Sequence, residues 1–100
     1  MLWAIHCTDN PDTAALRAEN LTAHREYLGS KKSVIVLAGA TLSDDGEQMT
    51  GSVFIVNTGS RDEAKAFSDG DPFTKAGIFK NVAIQRMRKG QWNPGSIEGA

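Results

Sequence analysis

His24 and Asp71 are the residues of this 100-residue chain whose types best suit acid–base chemistry near neutral pH. His24 stands seven positions after Arg17, two helical turns on, so both project from nearly one line of a helix. That line falls at the edge of the helix's apolar stripe. It admits two readings: a boundary histidine that shields the core with Arg17 in solvent, or an imidazole held at a pocket rim for proton transfer. Asp71 has two readings as well. With Pro72 next, it suits the cap of a short helical turn; fixed there beside Phe73, its carboxylate could also orient an imidazole. The two residues are 47 positions apart, so only the fold can bring them together.

Other chemistries find less support. His6, Cys7, His24 and the scattered acids show no metal-ligand spacing, so no metal is expected. Gly51-Ser52-Val53 and Gly70-Asp71-Pro72 lack a phosphate-loop pattern, and no cofactor is expected. Cys7 lies in an apolar run and reads as a small buried hydrophobe, not a nucleophile. His6, in the same run, reads as a packed strand residue. A single cysteine allows no intramolecular disulfide and fits a reducing, cytoplasmic setting. Eleven basic against twelve acidic side chains leave a net charge of −1 without a basic cluster, which argues against nucleic acid as a partner. Met1-Leu2-Trp3-Ala4-Ile5-His6 has no basic leader character, and no stretch approaches the roughly 18 apolar residues of a membrane span, so no membrane association is expected.

The elements that must position these residues follow from periodicity. Leu2 to Thr8 reads as a strand with Trp3, Ile5 and Cys7 on one side and Leu2, Ala4 and His6 on the other. Asn10 or Asp12 is the expected cap, with Pro11 in the first turn, of a helix from Thr13 to Leu28. Ala14, Ala18, Leu21 and Leu28 form its apolar stripe, and Gly29 offers a stop. Ser33 to Ala40 and Thr50 to Asn57 are expected strands of a hairpin across the polar turn Ser43 to Glu47. Ser60 with Glu63 is a capping-box signature for a helix from Arg61 to Asp69, turning Ala64, Phe67 and Ala66 inward. Lys80 to Arg88 alternates as a fourth strand, with Val82, Ile84 and Arg86 opposite Ala83, Gln85 and Met87. This β-α-β-β-α-β order is the ferredoxin-like α+β arrangement: a four-stranded antiparallel sheet with two helices on one face. Residues 1–89 form the expected domain and 90–100 a tail. Strands apolar on both sides leave one sheet face for another sheet, most simply in a homodimer.

Arg17 with His24, then Ala38-Gly39, Gly51-Ser52 and Asp71-Pro72-Phe73, follow an opening strand, Met1-Leu2-Trp3-Ala4-Ile5, that runs into an acidic turn. In that order and spacing they resemble the YCII-related family over roughly Met1 to Lys89. The resemblance implies a ferredoxin-like protomer pairing as a dimeric α+β barrel. It also implies a His-Asp active site in a cleft, carried over to His24 and Asp71, with Arg17 and Ser52 at the substrate-binding positions around it. Ala40 departs from the pattern, because members often have proline there. The implied activity is cofactor-independent acid–base chemistry of lyase or isomerase type, possible dehydrochlorination included, on a small aromatic or lactone-like substrate. Arg17 would then stabilise developing oxyanion charge. Two alternatives stand beside it: a cofactor-independent aromatic monooxygenase of the wider barrel group, and a non-catalytic module that binds a small metabolite.

Overall fold

The computed structural model describes residues 1–100. The chain runs β1 (Leu2–Asp9), α1 (Ala14–Ser30), β2 (Ile35–Leu42), β3 (Met49–Asn57), α2 (Arg61–Gly70), α3 (Pro72–Lys75) and β4 (Phe79–Met87). A single turn of 3₁₀-helix, Pro94–Ile97, closes the tail. All strand pairs are antiparallel, in the order β2-β3-β1-β4. This is the expected ferredoxin-like α+β sheet, with the short α3 added between α2 and β4.

Alternation along the strands decides which face is covered. Trp3, Ile5 and Cys7 pair with Val56, Phe54 and Ser52, and all six turn toward the helices and are buried. Ala64 and Phe67 of α2 complete that core, three residues apart on one helix face. Ala66 is exposed and Ser68 is buried instead, because Ser68 falls on the Ala64 face and Ala66 does not. Ser60 caps α2 as its spacing predicts: its Oγ accepts the Glu63 N–H at 3.2 Å. Glu63 reaches back one residue further than the usual box, to the Gly59 N–H at 2.8 Å.

Helix α1 differs most from its pattern. Ala14 and Ala18 are exposed, and the face against the sheet carries Arg17, Leu21, His24, Tyr27 and Leu28. Alanine contributes too little apolar area to orient a helix when longer side chains have partners to reach. The cap also differs. Asn10 is engaged elsewhere, its N–H on Ile78 O at 2.8 Å and its Nδ2 on Gly77 O at 3.1 Å. Pro11 lies in the turn before the helix, and Asp12 takes a left-handed conformation (φ 59°). The cap position falls to Thr13, whose side chain makes no capping hydrogen bond.

Candidate functional site

Four elements converge on one corner: the end of β1, the sheet-facing side of α1, the start of β3 and the beginning of α3. Asp71 is the N-cap of α3, and its Oδ1 accepts the Phe73 N–H at 2.9 Å. The same oxygen lies 2.7 Å from His24 Nδ1. One carboxylate oxygen thus accepts the cap hydrogen bond and faces the imidazole. Asp71 is 1% exposed, whereas the His24 side chain keeps 12% exposure. A buried oxygen that already accepts an amide proton acts as an acceptor, so Nδ1 donates to it; in the neutral imidazole the lone pair then falls on Nε2. Nε2 has no protein partner, and it is not one of the chain's two sealed, unpartnered side-chain polar atoms, Trp3 Nε1 and Thr74 Oγ1. The ring is further fixed by stacking on Phe73, with centroids 3.8 Å apart and planes within 1°.

Arg17 is not in solvent; it is 5% exposed. Its Nε meets Asp9 Oδ2 at 2.8 Å and its Nη2 meets Asp9 Oδ1 at 2.9 Å, a bidentate pair. Nη2 also donates to Gly51 O at 2.8 Å and to Ser52 Oγ at 3.2 Å. Thr13 Oγ1 adds a hydrogen bond to Asp9 Oδ2 at 3.2 Å. The Arg17 guanidinium carbon stands 5.1 Å from the centre of the Phe73 ring, so Phe73 touches both Arg17 and His24. The fold thus joins the four sequence-derived residues in two linked pairs, His24 with Asp71 and Arg17 with Ser52. Ser52 itself is sealed beneath Arg17 at 4% exposure.

Gly51 is required by strand spacing: a Cβ there would stand 2.0 Å from Cys7 O. At Gly70 the obstacle is a side chain: a Cβ there would stand 2.6 Å from Tyr27 Oη, and the ring would have to shift. Tyr27 donates to Phe67 O at 2.7 Å, clasping the last turn of α2 just before Asp71. Burial, then the negative charge of Asp71, pushes the Tyr27 hydroxyl above its ordinary pKa. Burial chiefly, with Asp71 and Asp9 adding to it, pushes the Cys7 thiol up to about 12. Cys7 is therefore a protonated wall of the site, not a nucleophile. Asp9 carried no signal in the sequence beyond the acidic turn after the opening strand, and Tyr27 none beyond helical periodicity. An acid eight residues before an arginine becomes a partner only when a turn folds the helix back onto its own strand. No group of three or more His, Cys, Asp or Glu side chains is placed to hold a metal ion.

Two broad surface concavities lie away from this corner. One is lined by Met1, Leu2, Arg86, Met87, Arg88 and Lys89. The other lies on the uncovered sheet face, lined by Leu37 and Ile55 and by Trp92 of the tail. No helix of the chain is long and apolar enough to cross a membrane.

The YCII-related domain matches residues 1–88. Protein YciI of Escherichia coli and Protein YciI of Shigella flexneri are each 28% identical over 96 residues, covering 89% of this chain and 98% of theirs. Among solved structures, the 5-chloro-2-hydroxyhydroquinone dehydrochlorinase TftG from Burkholderia phenoliruptrix AC1100, in complex with 2,5-dihydroxybenzoquinone, is 38% identical with a TM-score of 0.82. That match covers 90% of this chain and 96% of TftG. The chain belongs to the YCII-related family.

Proposed function

We propose that this YCII-related protein is an acid–base enzyme in which His24, oriented by Asp71, moves protons on a small hydroxylated aromatic or quinoid ring. One observation carries the reading: a buried carboxylate oxygen, already held by the Phe73 N–H, stands 2.7 Å from His24 Nδ1 and leaves Nε2 as the base. The substrate class is supported by the likeness to a dehydrochlorinase solved with a dihydroxybenzoquinone. On a chlorinated hydroxyquinol, Nε2 would take a hydroxyl proton and return it to the chlorine-bearing carbon. Loss of a second hydroxyl proton would then expel chloride, so the ring loses one proton and one chloride in all and leaves as a hydroxyquinone. Arg17, its position fixed by Asp9 and Ser52, would steady the oxygen that bears the developing charge.

Chloride release from 5-chloro-2-hydroxyhydroquinone under anaerobic conditions tests this. His24→Ala and Asp71→Asn should each lower the rate by about 10²-fold or more, with far-UV circular dichroism unchanged. Unaltered rates in both variants would remove the pair from catalysis. Turnover that requires dioxygen would favour monooxygenase chemistry, and a ring that raises Tm yet is recovered intact would favour a binding module.

The uncovered sheet face supports a second copy as partner. Leu2, Ala4, Val53 and Ile55 are half-buried there, and Leu37 and Met87 are exposed. Two such faces stacked would give the dimeric α+β barrel. A single, buried cysteine suits a reducing cytoplasm.

A further inference from the structure

We propose that Met49 is the side chain that covers the one edge of Arg17 no oxygen meets, and that it yields this edge when an oxygen of the ring ligand enters. The inference rests on the reading of His24 and Asp71 as the active site and adds the residue that governs access to its cationic end.

The donors of Arg17 are unequally met. A guanidinium has five N–H groups and no acceptor. Those on Nε and Nη2 are met by oxygen: both carboxylate oxygens of Asp9, the Gly51 carbonyl and the Ser52 hydroxyl. Nη1 meets only the thioether sulfur of Met49, at 3.5 Å. A thioether is a weak acceptor, so two hydrogens of a 5%-exposed cation are without an oxygen partner. A desolvated donor in that state gains when an oxygen replaces the sulfur. Met49 can yield easily. It is the first residue of β3, beside the hairpin turn, 56% exposed, on an unbranched and flexible side chain. The Phe73 ring links this edge to the base. Arg17 and His24 both lean on the Phe73 ring, at 5.1 and 3.8 Å from its centre. A ring with hydroxyl or oxyanion oxygens on opposite sides suits a site with a base at one end and a guanidinium at the other.

Calorimetric titration with 2,5-dihydroxybenzoquinone tests the subsite on the wild-type protein and on Met49→Ala, Met49→Gln and His24→Ala. Because Met49 is exposed, its variants should fold, as circular dichroism would verify. Met49→Ala should bind the quinone at least as tightly as wild type. Met49→Gln should bind about tenfold more weakly than Met49→Ala, because its amide oxygen occupies Nη1. Equal affinity in wild type and both Met49 variants, with binding lost in His24→Ala, would overturn the role of Met49 while leaving the His-Asp reading intact. No binding to any of the proteins would overturn the oxygen subsite, whereas the chloride-release assay judges the His-Asp pair separately.

Discussion

Arg17 and His24 share one face of α1, and what each can do is set by the acid it meets. Asp71 holds the imidazole by Nδ1, which in the neutral ring leaves the lone pair of Nε2 outward. Asp9 holds the guanidinium by one edge, so only the Nη1 edge of Arg17 is left without an oxygen partner. Beneath them, Cys7 reports the local electrostatics. The unfolded thiol loses its proton near pH 9.0, but the folded one keeps it until about 12. Below pH 9 both states hold the proton, and the thiol does not bias folding. Between those values the unfolded chain binds fewer protons, so stability falls by up to about 1.4 kcal/mol per pH unit. The raised Tyr27 hydroxyl adds in the same direction. Urea unfolding at pH 7.5 and pH 10.5 should therefore show a smaller loss of stability in Cys7→Ala than in wild type. Equal losses would mean that the thiol does not titrate in this way.

At the scale of elements, the junction of α2 with α3 decides whether Asp71 reaches His24. Tyr27 of α1 bonds the Phe67 carbonyl and fills the space where any side chain at position 70 would stand. An alanine there would bring its Cβ to 2.6 Å from Tyr27 Oη and would have to shift the loop that carries Asp71. Gly70→Ala should thus lower Tm, and it should lower the chloride-release rate by disturbing the Asp71–His24 contact. Tyr27→Phe in the same chain should restore part of both, since the hydroxyl is the nearest obstacle. A Gly70→Ala protein with unchanged Tm and rate would show that the junction yields freely. The capping box of α2 and the Asp-Pro start of α3 were legible because they are local: a side chain meets a backbone amide two or three residues on. The inward face of α1 was not. Its alanines and polar residues carry no strong apolar period, and the sheet, not the helix, chose which side would face in.

For the whole molecule the decisive feature is the sheet face without helices. A 100-residue chain has a modest core, and Leu37, at 52% exposure, Met87 and Ile55 lie outside it. Pairing through this face predicts a mass of two chains by size exclusion with light scattering. Leu37→Glu combined with Ile55→Glu should give one chain with native far-UV dichroism, because buried carboxylates facing each other across the interface are strongly disfavoured. A single-chain mass for the unaltered protein would refute the pairing.

The order of elements, the antiparallel ladder and the two helix starts were set by the sequence alone, because alternation, periodicity and caps act over a few residues. The choice of His24 and Asp71 as candidates came from residue type and from the likeness of short motifs to a family. Their meeting, 47 residues apart, could come only from the packing of α1 against the start of α3. So did the capture of Arg17 by Asp9, the sealing of Ser52 and the placing of Met49 over Nη1. Spacing along the chain encodes which face a side chain takes, but contact between distant faces depends on how the helices settle on the sheet, and that is decided by burial summed over the whole core.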